Sequence, residues 1–221
     1  MKDMVITIDG PAGAGKTTVS RMLAARLGYR YVDTGALYRG VALAARDKGI
    51  AAEDDAGLAD LCAGLRLELT AAENGSRLLI GGNDVSDQIR TPEISMLASA
   101  VSARPVVRAF LLEIQRSMGR AKRAVFEGRD TGTVVFPEAD LKFFLSADVT
   151  ERARRRLLEL PADQGWTLTK VEADIRRRDE NDSTRSQAPL RPAVDAVMVD
   201  STNRTPAAVV DLMLGHIQSR Q

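Results

Sequence analysis

Cysteine and histidine are nearly missing from this chain, and each scarcity removes a class of chemistry. One cysteine, Cys62, among 221 residues leaves no internal disulfide to form and fits a reducing compartment, the cytoplasm. Cys62 itself reads as a small buried hydrophobe on an apolar helix face. One histidine, His216, near the C-terminus, excludes a catalytic pair of histidines and a histidine-rich zinc cluster. Aromatic residues make up only 4% of the chain. No apolar run approaches the ~18 residues that a membrane span requires, and the N-terminus enters a strand without a charged-then-apolar leader. An excess of one charge is missing too: 31 Lys plus Arg against 30 Asp plus Glu leaves +1. Anion binding must therefore come from local placement of arginines, and a general attraction to nucleic acid is not indicated. There is no internal repeat and no low-complexity tract.

What is present is a β-α alternation. Met4 to Ile8 is a short apolar, β-branched run that reads as a buried strand, and Val19, Met22, Leu23 and Leu27 recur at helical spacing before Gly28. A second strand spans Tyr29 to Val32, and a helix runs from Ala36 to Lys48 until Gly49. Further strands are expected at Ala124–Phe126, Leu141–Leu145 and Ala196–Val199. Charged helices at Glu151–Leu160 and Val171–Asp179 flank a loop from Pro161 to Gly165, and a closing helix spans Pro206–Ile217. The middle differs. Leu65, Leu67 and Leu69 alternate with polar residues, Asn74-Gly75 signals a turn, and Arg77–Ile80 returns: a β-hairpin, with a further turn at Gly81-Gly82-Asn83-Asp84. Helices follow from Thr91 to Met118, Pro105 opening the second. The pattern predicts an α/β fold with a parallel sheet covered on both faces, interrupted by an inserted hairpin. The functional site then belongs at the carboxyl ends of the strands.

Gly10-Pro11-Ala12-Gly13-Ala14-Gly15-Lys16-Thr17 fits G-x-x-x-x-G-K-[ST] between a strand and a helix. Glycines let the backbone curl so that N–H groups face phosphate oxygens, and the helix adds its positive end. Lys16 is placed to reach the β- and γ-phosphates, and the Thr17 hydroxyl to ligate Mg²⁺. This establishes a nucleoside triphosphate as ligand without choosing among kinases, GTPases and motors. No Asn-Lys-x-Asp run is present. Instead Arg39, Arg129 and the set Arg176, Arg177, Arg178 and Arg185 are read as standing at strand ends and at one loop. Planar guanidiniums bind phosphates bidentately and offset transition-state charge, as transfer between two nucleotides requires. Taken alone, Arg176 to Arg178 read more readily as a solvated helix face than as phosphate ligands. Asp130 and Asp182 lie beside these arginines and could accept from an exocyclic amine or a ribose hydroxyl, or serve as caps and salt-bridge partners. Asp33 is open between holding a metal-bound water and capping the next helix.

These residues resemble those of bacterial cytidylate kinases, a family of nucleoside monophosphate kinases. The resemblance covers nearly the whole chain and rests on Ile8 to Lys16, Asp33-Thr34-Gly35-Ala36-Leu37-Tyr38-Arg39 and Gly128-Arg129-Asp130-Thr131-Gly132-Thr133-Val134-Val135-Phe136-Pro137. It continues through Glu151-Arg152-Ala153, Arg178-Asp179, Asp182, Arg185, Ala188-Pro189-Leu190, Asp195-Ala196 and Asp200-Ser201-Thr202. It implies transfer of a phosphoryl group from ATP to CMP or dCMP with Mg²⁺, by a monomer without nucleic-acid or membrane partners. It implies a three-layer P-loop kinase fold, with a five-stranded parallel core, a monophosphate-binding insertion at about 62–100 and a lid at about 152–175. By this similarity Gly10, Pro11, Ala12, Gly13, Ala14, Gly15, Lys16, Thr17 and Thr18 hold ATP, with Thr17 on the metal. Ser99, Arg108 and Asp130 read cytosine. Arg39, Arg129 and Arg185 hold the acceptor phosphate with Thr34 nearby, and Arg178 and Asp182 contact the ribose. Lys16, Arg129 and Arg185 are the catalytic candidates, and lid arginines among Arg152, Arg154, Arg155 and Arg156 close over ATP. Thr34 stands where Ser is frequent and keeps the hydroxyl. Thr131 stands where an apolar residue is usual, and Glu127 where Asp and Glu both occur. Thr131 adjoins Asp130, so base or sugar preference is the property it would alter. Two other readings remain open at this point: a kinase for another small acceptor, such as a different monophosphate or shikimate, and a nucleotide-binding partner without transfer activity.

Overall fold

A computed structural model describes residues 3–72, 75–160 and 165–220. Asn74 of the expected turn and Pro161–Gln164 of the expected loop lie outside the described residues.

Five parallel strands form the central sheet: β1 (Val5–Asp9), β2 (Arg30–Asp33), β6 (Ala124–Gly128), β7 (Leu141–Ser146) and β8 (Val197–Asp200), in the order β2-β6-β1-β7-β8. Every residue of β1 and β6 is buried, which is why both read as near-continuous apolar runs. From β1 the chain winds out to β2, returns to β6 and then crosses to the other side with β7. The carboxyl end of β1 is therefore a topological switch point, where neighbouring connections diverge and leave a crevice. Register brings the strand ends level there: Asp9 pairs with Gly128 and Asp33 with Glu127.

Helices cover both faces. α1 (Lys16–Leu27) and α8 (Pro206–Gln218) pack on one side, where Leu23, Val210 and Met213 meet Ile6, Ile8, Leu141 and Phe143. Gly28 ends α1 in the left-handed conformation, φ 63°, as its position after the last apolar residue predicts. α2 (Thr34–Asp47), α3 (Asp55–Gly64), α4 (Pro92–Val101) and α5 (Pro105–Gly119) enclose a second core around Leu37, Val41, Leu58, Ile94 and Leu111. Thr91 caps α4, accepting from Ile94 N, and Pro92 and Pro105 open their helices where a missing N–H is harmless.

The hairpin is present as β3 (Leu67–Ala72) and β4 (Gly75–Ile80), antiparallel with Leu69 opposite Leu78. Gly81 and Gly82 make the expected turn. Asn83-Asp84, however, is not part of it: the two residues form β5, a short third strand on β4. The hairpin seats on α2 at Gly40, where an added Cβ would stand 2.6 Å from Leu78 Cδ2. α6 (Val149–Leu158) and α7 (Leu168–Thr184) share a small separate cluster of Ala153, Val171 and Ile175. α7 is longer than the charged pattern suggests, and it carries Arg178 and Asp182 four residues apart on one face. A feature without a sequence signal is the π-helical turn Thr131–Val135 directly after Arg129-Asp130.

Candidate active site

The turn that follows β1 is possible only with glycine. Gly10 has φ +152°, and a Cβ there would lie 2.0 Å from the carbonyl oxygen of Leu145. Gly13 and Gly15 take φ +74° and +85°, and Gly15 begins α1 with no side-chain cap. The first N–H groups of α1 thus face the loop's mouth as an anion cradle. Lys16 is buried and donates to Pro11 O across the loop at 2.7 Å. Burial, then the neighbouring Arg129 charge, pull its pKa well below the ordinary lysine value. Thr18 is exposed at the start of α1.

Thr17 Oγ1 donates to Glu127 Oε1 at 2.8 Å, and the Tyr31 hydroxyl donates to the same oxygen at 2.7 Å. Glu127 Oε2 is buried without a hydrogen-bond partner. Burial, and after it the charge of Asp33, raise the Glu127 pKa against the opposing pull of Lys16. Position at the end of an apolar strand was the signal available in the sequence for Glu127, and only the strand register shows that it faces Thr17. Asp33 caps α2, its Oδ1 accepting from Ala36 N at 3.0 Å, while Oδ2 accepts from Arg39 at 2.7 Å.

Beside this loop the expected acceptor residues converge from β6, α2, α4, α5 and α7. Asp130 accepts from Arg108 and, at 3.3 Å, from Arg185. Asp182 accepts from Arg129 Nε at 2.9 Å and from Ser99 Oγ at 3.2 Å. Thr34 Oγ1 donates to Glu127 O at 2.7 Å, placing that hydroxyl beside Gly128. Burial works to raise the Asp182 carboxyl, and the guanidiniums of Arg129, Arg178 and Arg185 outweigh it, leaving it below the usual range. Arg178 Nε is buried and unpaired, and burial followed by the Arg129 charge bring its pKa down to about 10. Arg185 is likewise lowered by burial, with Asp130 opposing. A guanidinium with an unbonded buried Nε, crowded by other cations and offset by Asp182, is poised for an anion.

The run Arg176–Arg178 divides. Arg176 and Arg177 are exposed and pair with Glu172 and Asp174 one turn back, the solvated-face arrangement, whereas Arg178 turns inward. Among the four lid candidates, Arg152 is buried and donates to Ala12 O of the loop at 3.1 Å and to Asp179 at 2.6 Å. Arg155 bonds Ser201 O and Oγ at 2.7 and 3.0 Å. Arg154 and Arg156 pair with Glu151 and Glu159.

Three participants escaped the sequence. Ser102 links two of the expected acceptor residues: its Oγ accepts from Arg185 at 3.2 Å, and its carbonyl accepts from Arg108 at 3.2 Å. Tyr38 lies under the Arg108 guanidinium, 5.8 Å from ring centroid to Cζ, and its hydroxyl is pushed up to about 12 by burial. With Arg108 and Gln115 it lines a cavity of about 350 Å³. Asp9 ends β1 as a buried carboxylate. Tyr38 sits inside a motif already legible, but no sequence pattern distinguishes Ser102 from a helix-terminal serine.

Residues 6–219 match the cytidylate kinase family. The chain is 52% identical to the cytidylate kinase of Geobacter sulfurreducens, across 100% of this chain and 95% of that protein. It is 46% identical to the cytidylate kinase of Symbiobacterium thermophilum, across 97% and 96%. Among solved structures, a gluconokinase from Sinorhizobium meliloti superposes with a TM-score of 0.50 at 14% identity, covering 98% of this chain and 93% of that one, which is a likeness of fold. A phosphate loop on the switch point of a parallel sheet, the arginine-carboxylate constellation beside it and these full-length identities lead to one conclusion: the chain belongs to the cytidylate kinase family.

Proposed function

We propose that this protein transfers the γ-phosphoryl group of ATP to CMP or dCMP, yielding ADP and CDP or dCDP. The observation that carries this reading is the pair of buried carboxylates beside the phosphate loop, Asp130 between the guanidiniums of Arg108 and Arg185, and Asp182 paired with Arg129. A carboxylate accepts from the N4 amine of cytosine and repels the O4 of uracil, so Asp130, steered by Arg108 and joined by Ser99, reads the base. Arg39, Arg129 and Arg185, with Thr34, take the acceptor phosphate, and Arg178 and Asp182 the ribose. The loop from Gly10 to Thr18 holds ATP, and Lys16 exchanges its bond to Pro11 O for phosphate oxygens.

Mg²⁺ fits the donor set: the hydroxyl of Thr17 is a hard oxygen ligand, and Glu127 beside it keeps a buried, unpartnered Oε2. When bound, the ion offsets charge between the β- and γ-phosphates. The residues of the chain do the rest. Arginines draw two polyanions together, Lys16 and Arg129 stabilise the transferring group, and a lid formed by α6 and α7, about 152–175, excludes water. The acceptor phosphate is already a nucleophile, so no general base is needed. The hairpin insertion at about 62–100 closes the acceptor side, and the protein acts as a monomer in the cytoplasm.

A coupled ADP assay with CMP, dCMP, UMP, AMP, GMP and no acceptor tests this. CMP and dCMP should give the highest acceptor-dependent rates. Equal rates for all acceptors, or ADP release independent of acceptor, would overturn the reading.

A further inference from the structure

Asp9 is 5% exposed, and its three hydrogen bonds come from neutral donors. Oδ1 accepts from Thr131 N at 2.9 Å and Thr131 Oγ1 at 2.7 Å, and Oδ2 from Gly132 N at 2.7 Å. These bonds join two segments that leave the sheet side by side. β1 and β6 are level at Asp9 and Gly128, after which Asp9 leads into the phosphate loop and Gly128 into Arg129-Asp130. Beyond that point no strand pairing holds them together, and the Asp9 carboxylate does so instead.

The peptide that follows Asp130 is gripped from both sides. Its N–H, that of Thr131, points to Asp9. Its carbonyl accepts from Val134 N at 2.9 Å and Val135 N at 3.3 Å, opening the π turn. With that plane held, the direction in which the Asp130 side chain leaves the backbone is set. Gly132 allows the close approach: a Cβ there would come 2.7 Å from Thr7 Oγ1 and 3.4 Å from Asp9 Oδ2. The far end of the segment is tied as well, by buried Lys142, whose Nζ donates to Pro137 O and, at 3.0 Å, to Asp195.

We propose that Asp9 and Thr131 are positioning residues, which hold Asp130 and Arg129 at a fixed distance and angle from the phosphate loop and so set acceptor-base discrimination. Neither touches the nucleotides. The Thr131 hydroxyl supplies one of the three bonds, and its loss loosens the peptide on which Asp130 turns. This inference rests on the assignment of Asp130 as reader of the acceptor base.

The test is steady-state kinetics of wild type, Thr131→Val, Thr131→Ser and Asp9→Asn with CMP, UMP and ATP varied in turn, alongside thermal melts. CMP turnover by the wild type examines the kinase reading first; its absence sinks that reading, whereas in an active enzyme the variants alone decide on positioning. Thr131→Val should lower kcat/KM for CMP about tenfold and erode the CMP-to-UMP ratio by a similar factor, with KM for ATP and Tm held near wild type. Thr131→Ser should restore both, and Asp9→Asn should act in the same direction more strongly. The proposal is overturned by an unchanged CMP-to-UMP ratio in Thr131→Val, by parallel rises in both KM values, or by failure of the serine variant to recover the ratio.

Discussion

At the scale of single residues, the site sets its buried carboxylates against its own guanidiniums. Asp130 is shared by Arg108 and Arg185, and Asp182 by Arg129 and Ser99, so under the proposed function acceptor binding exchanges internal partners for those of a nucleotide. Arg129→Ala should lower kcat by about 10²–10³ in the coupled assay, the size seen when one preorganised charge donor is lost from a transition state. It also removes the nearest partner of buried Asp182, and the variant should lose about 1–3 kcal/mol in urea melts. Asp130→Ala should cost CMP far more than UMP in kcat/KM; an equal loss for both acceptors would make Asp130 structural. Asp9 offers a pH test. Burial raises its carboxyl above the ordinary value of 3.8, despite donation from Gly132 and Thr131. A raised folded pKa means that the native state holds the proton more tightly than the unfolded chain does. The contribution of Asp9 to stability therefore declines as pH rises from 3.8 through the raised value and is flat above it. Wild type should accordingly be most favoured over Asp9→Asn in melts near pH 4 and least near pH 8. The reverse trend would mean that ionised Asp9 stabilises the fold.

Elements place these residues where their own sequences cannot. The phosphate loop is legible because its backbone demands are written in residue type: Gly10 tolerates no side chain against Leu145 O, and Gly13 and Gly15 lie at positive φ. Gly10→Ala should abolish ATP binding by calorimetry and lower Tm by several degrees, since the strain and the overlap with a backbone oxygen cannot be relieved by a rotamer change. The helix ends at Gly28, Thr91 and Pro105 were legible for the same reason, and so was the hairpin through the alternation of Leu67 and Leu69. β5 was not, because Asn83 and Asp84 carry no strand propensity and are extended only by pairing with Ile80 and Leu79. The π turn escaped too: it is held by Asp9, a residue more than 120 positions away, rather than by any preference of Thr131 to Val135.

Across the whole molecule, a sheet with its switch point at β1 brings the phosphate loop and an arginine-carboxylate cluster from five other elements to one rim. Among the described residues no single helix is long and apolar enough to cross a membrane. Ligand linkage follows from this assembly. CMP at ~100 times its Kd adds about 2.7 kcal/mol to the native state, which for a chain of this size raises Tm by roughly 5–10 °C. UMP at the same concentration should shift it less, and equal shifts in differential scanning fluorimetry would remove base discrimination from the free enzyme. The sequence alone determined the alternation of strands and helices and the phosphate loop, because periodicity, glycine conformation and motif spacing are local properties; the residues expected beside the loop came from a family resemblance spread over the whole chain. Tertiary structure decided which charges face which. It turned Arg178 inward and left Arg176 and Arg177 in solvent, set Glu127 against Thr17, and tied Asp9 to the peptide beyond Asp130. Those pairings depend on strand register and on helices meeting across the sheet, and contacts between residues a hundred positions apart leave no trace in the spacing of either.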